Sequence, residues 1–306
     1  HLAGDAMPHL SSPTDLEAAT LRAEEALGAG VTLLFDKGWS DETVLDLVDR
    51  VDPTGRPHIE AAGTIISTPD GYYQGFGREI DPGDIEAEVG RAIGKRADWV
   101  KLIGDWPRRG VGPQPNFTQS QLEDAVRVAE AMGARVAIHT MAREVPAMAV
   151  AAGVHSIEHG LFLDSENLDD LAARGAMWVP TISQVEATAA ELRPGSSGQA
   201  LLEEGVANAC RLVPLAVEAG VTVLAGSDLA VSSAEVVEEV LRIARCGVDA
   251  ASALSIAAGG GHDAVGRSSR FELGFPADAV FFPENPRDDL EVLRSPAHVI
   301  RGGALR

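Results

Sequence analysis

One phrase of apolar and polar positions recurs along the chain: an Ala-rich stretch with helical spacing, a glycine, then four to eight apolar residues ending on a polar one. It occurs at 30–36 (GVTLLFD), 133–139 (GARVAIH), 153–159 (GVHSIEH), 175–181 (GAMWVPT) and 220–228 (GVTVLAGSD). The glycine suits the left-handed residue that closes a helix. The short apolar run suits a strand covered on both faces, as in parallel sheets. Two further strands are predicted around 59–67 and 99–104, giving seven. Helix starts are legible between them. Ser12-Pro13 precedes Leu16, Ala19, Ala23 and Leu27 on one face, and Thr118 with Gln121 forms a capping box before Leu122, Val126 and Ala129.

A helix precedes the first of these strands, which implies one more strand ending close to His1. Seven plus one is the number that closes a barrel, so the fold class expected is α/β, a (β/α)8 TIM barrel with its first strand truncated. An open doubly wound sheet ranks second, because no GxGxxG follows an early strand. After Asp228 the pattern changes to two helices (about 234–246 and 250–258) and two short strands, 271–282 and 298–305. The expected division is a barrel over 1–266 and the C-terminal part of a small accessory β-domain over 267–306.

Composition narrows the partners. Hydrophobic residues make up 45% of 306 positions, enough for one barrel-sized core, and no run of 18 apolar residues suggests a membrane span. A formal charge of −21 opposes nucleic acid and leaves a small-molecule substrate, with a homo-oligomer compatible. The two cysteines, Cys210 and Cys246, are expected to be buried free thiols, consistent with a cytoplasmic setting. The sequence opens on His1 rather than Met, so a processed or truncated start is expected and any targeting segment would lie upstream.

Active sites of (β/α) barrels lie at the C-terminal ends of the strands. The residues that close the predicted strands are Asp36, Lys101, His139, His159, Thr181 and Asp228. Lys101 lies in an apolar strand and is one of three lysines against 22 arginines. Burial penalises its ammonium form and favours a nucleophilic amine, able to form a carbamate or a Schiff base. His139 and His159 end neighbouring strands ~4.8 Å apart, so both imidazoles can reach one ion at ~2.1 Å. Asp228 offers a carboxylate to a metal or to a proton. Asp36 and Thr181 are assigned to capping or support.

These residues carry a resemblance. The stretch from His139 to Gly160, with its Ser-Ile-Glu-His-Gly ending, resembles the fifth- and sixth-strand signature of the amidohydrolase superfamily, in its imidazolonepropionase-like and prolidase-like branch. Ala225-Gly-Ser-Asp228 resembles the eighth-strand motif, and Leu273-Gly-Phe-Pro-Ala-Asp-Ala-Val the entry to the accessory domain. The resemblance implies that His139 and His159 bind one metal, that Lys101 as its carbamate bridges two, and that Asp228 binds the other and shuttles protons. His1 would be the second histidine of a first-strand His-Xaa-His.

The activity so implied is metal-dependent hydrolysis of an amide bond, in a dipeptide, an N-acyl amino acid or a cyclic amide, by metal-activated hydroxide. Zinc is the expected metal, with manganese or iron also fitting the ligands. Tyr73 and Trp106 are placed to stack on an organic group, and Arg108 or Arg109 to hold a carboxylate. The rival readings are a Schiff-base lyase using Lys101 and a catalytically inactive barrel.

Overall fold

The alternation of helix, glycine and apolar run becomes, in the computed structural model, a set of parallel strands joined by helices. The structure describes residues 1–4, 15–94, 96–268, 270 and 272–306. Helix α1 (Leu16–Gly28) starts at Asp15, whose carboxylate accepts from the Glu17 amide. The Ser12-Pro13 start expected from sequence lies outside the described residues. Strand β1 (Leu33–Asp36), helix α2 (Thr43–Arg50) and strand β2 (His58–Ala61) follow. The single strand expected over 59–67 is broken, resuming as β3 (Ile66–Ser67). Between the two pieces the chain changes neighbours, since Ala62 bridges Trp99 while Thr64 bridges Trp39.

Strand β4 (Arg78–Glu79) and helix α3 (Ile85–Ile93) lead to β5 (Trp99–Ile103). A hairpin of β6 (Asp105–Arg108) and β7 (Gly112–Pro115) rises beyond its end. Helix α4 (Gln119–Ala131) carries the expected Thr118–Gln121 capping box and leads to β8 (Arg135–Thr140). Helices α5 (Val145–Ala152) and α6 (Ser165–Arg174) close on left-handed Gly153 and Gly175, and flank β9 (Ser156–His159). Then come β10 (Met177–Val179), α7 (Ile182–Glu191), α8 (Ser197–Glu218) and β11 (Thr222–Val223). Helix α9 (Val237–Arg245) follows. Helices α10 (Ala250–Leu254) and α11 (Gly260–Ala264) are joined by a π turn, Ser255–Gly259. The chain ends in β12 (Ala279–Phe281), β13 (His298–Arg301) and β14 (Ala304–Leu305).

The parallel strands lie in the order β11-β10-β9-β8-β5-β3-β4, and a separate parallel pair β1-β2 joins through the Ala62–Trp99 bridge. Alternating side chains fill two layers. One side of the strands packs on the helices through Val100, Leu102, Ile138, Ile157 and Trp178. The other side gathers Ala62, Trp99, Ala137, Met177, Val179 and Leu224, with Phe35, into one small cluster. Residues from so many strands meet there only because the sheet curls around them. Among the described residues no strand pairing joins β11 to β1, so the sheet stays open along that edge.

The last strands make a three-stranded antiparallel sheet, one strand more than expected, because left-handed Gly302 and Gly303 fold the 298–305 run back on itself. Arg301 fastens it, donating to both Asp278 carboxylate oxygens and to the Arg56 carbonyl. The cysteines depart from the free thiols expected: Cys210 on α8 and Cys246 at the end of α9 form a disulfide. The two helices pack closely enough to bring residues 36 apart together, which no spacing rule reveals. Among the described residues no helix is long and apolar enough to cross a membrane.

Candidate active site

The strand-end residues gather at one mouth. Parallel register sets Ile103 opposite His139, and Thr140 opposite His159. His139 Nδ1 and His159 Nε2 come within 3.0 Å of each other, both rings buried. His159 Nδ1 lies 2.5 Å from the Thr181 hydroxyl at the end of β10, and that hydroxyl donates to the Pro180 carbonyl at 2.8 Å. With the hydroxyl donating to that carbonyl, its oxygen is free to accept from His159 Nδ1–H, the arrangement that satisfies both contacts. The bare Nε2 of His159 then accepts from His139 Nδ1–H, and His139 Nε2 is left buried without a partner.

His1 and Asp228 form a second pair. His1 Nδ1 donates to the Gly38 carbonyl at 2.6 Å, and its Nε2 lies 3.1 Å from Asp228 Oδ1. His1 therefore spans the open edge between β1 and β11. Asp36, at the end of β1, accepts from the Leu2 and Gly38 amides and fixes the segment that carries His1.

His159, Thr181 and Asp228 all have left-handed backbone, at φ 64°, 46° and 45°. Three such residues at consecutive strand ends mark stored strain of the kind found at functional sites. The motif glycines follow from the same crowding. A Cβ on Gly160 would meet Trp178 Nε1 at 2.7 Å, and one on Gly226 would meet Val179 Cγ1 at 2.5 Å.

Lys101 is buried between the pairs, its pKa lowered by desolvation against the charges of Glu158 and Asp228. Asp105 is no partner for it, since that carboxylate accepts the Met141 and Ala142 amides. Burial, with His159 and Lys101, pushes His139 well below the ordinary range. Burial and Lys101 bring His159 down to about 4 against the pull of Asp228. Both rings are thus neutral at pH 7, as metal ligands must be. Burial opposes charge on His1 and Asp228 alike, but their hydrogen bond and mutual attraction prevail, raising His1 and holding Asp228 well below the usual carboxylate range.

Two site residues escaped the sequence reading. Lys37 lies 3.2 Å above the Trp99 ring and 3.8 Å from Glu158, and burial brings its pKa down to about 8. Glu158 accepts from the Ser156 hydroxyl at 2.6 Å. The signals were present, as a second lysine at a strand end and an acid inside the Ser-Ile-Glu-His run.

Above the mouth is a cavity of ≈ 1460 Å³ that continues down the open edge past Leu33, Phe35 and Leu224. Tyr72, Tyr73 and Trp106 form edge-to-face contacts at 4.6 to 5.0 Å on its wall, with Trp106 6.0 Å from His139. Arg108 lines the cavity, donates to Asn116 Oδ1 and keeps a buried Nη1 without a partner. Arg109, at the hairpin tip, is exposed and is not brought to the cavity.

Residues 4–305 match the model of the Amidohydrolase family. The chain belongs to the amidohydrolase family. It is a hydrolase acting on carbon–nitrogen bonds, in a superfamily whose members are generally metal-dependent. It is 31% identical over 298 residues to the uncharacterized protein Rv2915c of Mycobacterium tuberculosis, covering 94% of this chain and 79% of that one. It is 27% identical to the ochratoxinase of Aspergillus niger over 261 residues, 78% of this chain and 53% of that protein. Among solved structures, a Xaa-Pro dipeptidase with methionine bound in its active site superposes with a TM-score of 0.83 at 25% identity, covering 100% of this chain and 84% of the other.

Among the described residues, no three His, Cys, Asp or Glu side chains converge as a ready cage for an ion. The donors stand as two pairs with Lys101 between them. The residues nonetheless fit a metal. His139 Nδ1 and His159 Nε2 face each other 3.0 Å apart, close enough for both to reach one ion at ~2.1 Å, and His139 Nε2 is a further buried nitrogen without a hydrogen-bond partner.

Proposed function

We propose that this amidohydrolase is a metal-dependent enzyme that cleaves the amide bond of a small carboxylate-bearing substrate, such as a dipeptide, an N-acyl amino acid or a cyclic amide. The observation that carries the reading is the buried, neutral His139–His159 pair with its unpartnered nitrogen, opening into an aromatic cavity. The curling parallel sheet supports a (β/α)8 barrel over 1–266, with 267–306 belonging to an accessory β-domain.

His139 and His159 would hold one divalent ion, zinc first and manganese or iron as alternatives, and His1 and Asp228 a second. A bound divalent ion polarises a carbonyl and acidifies water. Lys101 would serve as its carbamate: the neutral amine adds carbon dioxide, forming an N–C bond and losing one proton to water. Lys37 then remains beside Glu158, so that the new anion does not face an unbalanced carboxylate. Asp228, held ionised, takes the proton of the attacking water and passes it to the leaving nitrogen. Tyr73 and Trp106 stack on the substrate's apolar group, and the free Arg108 Nη1 binds its carboxylate. The resemblance to a Xaa-Pro dipeptidase and to ochratoxinase supports substrates of this kind.

The test is a panel of dipeptides and N-acyl amino acids assayed before and after chelation. Hydrolysis should vanish on chelation and return with zinc, manganese or iron. Arg108→Ala should raise KM for carboxylate-bearing substrates about 10- to 100-fold, the worth of one charge-assisted hydrogen bond, and Arg109→Ala should leave it unchanged. Hydrolysis indifferent to chelation would overturn the proposal, as would borohydride trapping of a carbonyl substrate on Lys101.

A further inference from the structure

Helix α7 begins in an unusual way. Thr181 occupies its N-cap position, where a threonine hydroxyl ordinarily accepts from an amide of the first turn. Here its backbone is left-handed, at φ 46° and ψ 45°, and its side chain makes no capping bond. The first-turn amides bond elsewhere. Glu239 on α9, fully buried, accepts from the Ile182 amide at 2.7 Å, the Ser183 amide at 2.9 Å and the Ser183 hydroxyl at 2.6 Å. The cap is supplied by another helix, and the threonine hydroxyl is released to lie between the Pro180 carbonyl and His159 Nδ1.

We propose that Thr181 is a positioning residue that fixes His159 in the tautomer with its proton on Nδ1 and Nε2 bare, and that Glu239 frees it for this task by capping α7. The arrangement of the contacts favours it, because only this direction satisfies both. The Pro180 carbonyl can only accept, so the Thr181 hydroxyl donates to it and presents its oxygen to His159, which must then donate. The nitrogen turned toward His139 carries no proton and offers its lone pair, here to His139 Nδ1–H, the form in which an imidazole binds a metal. Without the hydroxyl, His159 can protonate either nitrogen, and the Nε2–H form cannot bind through that atom. Without the Glu239 carboxylate, the α7 amides compete for the hydroxyl.

The assignment rests on the metal reading above, and the test separates the two. Metal-free protein labelled with ¹⁵N-histidine, with His159→Asn to identify the signal, reports the tautomer of His159. Competition with a chelating dye gives the zinc affinity of the same samples. The wild type and Thr181→Ser should show the Nδ1-protonated form. Thr181→Ala and Thr181→Val should show a mixture and bind zinc about 10- to 100-fold more weakly, the usual cost of losing an outer partner of a ligand. Thr181→Ser should restore the affinity to within about threefold. Alanine sits more easily than valine on left-handed backbone, so it keeps the test open if the valine variant folds poorly. Glu239→Ala should shift tautomer and affinity in the same direction by less. A wild type that binds no zinc overturns the metal reading. A wild type that binds zinc, with Thr181→Ala unchanged in tautomer and affinity, overturns the role of Thr181 alone.

Discussion

The two donor pairs at the mouth are built differently. His139 and His159 stand on hydrogen-bonded neighbours, β8 and β9, and parallel register alone brings their rings together. His1 and Asp228 meet across the edge where no strands pair among the described residues, held by the Gly38 carbonyl and the anchoring carboxylate of Asp36. The inner pair is nine-tenths buried or more, and the outer pair is 14% and 20% exposed. Register between paired strands thus sets the inner pair, and contacts of residues 1–2 with Asp36 and Gly38 set the outer one.

Disrupting each pair should have different consequences. Asp228→Asn should lower the hydrolysis rate by about 10²- to 10⁴-fold, the usual worth of a placed acid–base group, and cost less stability than the inner-pair variant, because the Asn oxygen keeps the hydrogen bond to His1 and only the charge is lost. His159→Gln should abolish hydrolysis and also cost about 1–3 kcal/mol of stability, because it leaves the buried Thr181 and His139 groups short of partners. Thermal melts beside rate measurements on both variants check the contrast; equal stability losses would remove it.

Proton linkage separates the inner histidines from His1 by sign. His159, at about 4, and His139 lie below their unfolded value of 6.5, so in that window the unfolded chain binds more protons. Stability of the metal-free protein should fall as pH drops from 6.5 toward about 4, on the order of a few kcal/mol. His1 is raised, so its contribution is complete below 6.5 and lost as pH rises through its folded value. Chemical denaturation across this range should show the inner slope in the wild type and a shallower one in His159→Gln, where only His139 still contributes.

The smallest effect at the site should come from the disulfide. Replacing Cys210 and Cys246 with alanine should cost about 3 kcal/mol of stability through the freed loop, yet leave the hydrolysis rate unchanged.

The strand ends were readable because a polar residue closing an apolar run has few structural reasons to be there. His139, His159, Lys101 and Asp228 reach one mouth by that logic and His1 by the resemblance, and the Thr118–Gln121 box and the closing Gly153 and Gly175 lie where the sequence placed them. What stayed hidden depends on pairing between distant segments. Lys37 and Glu158 gain meaning only once β1 and β9 face each other across the sheet's interior. Glu239 caps a helix 57 residues earlier. Arg108 and Arg109 are equivalent in sequence until the hairpin turns one in and leaves the other at its tip. The break in 59–67 reflects competition between two neighbouring strands, which no local pattern records.

The most direct test is the metal content of the purified protein, measured by plasma mass spectrometry after equilibration with zinc and gel filtration. The wild type should retain one or two divalent ions per chain, and the His139→Asn/His159→Asn double variant should lose the ion of the inner pair while remaining folded. A folded double variant that retains the wild-type content would contradict the account.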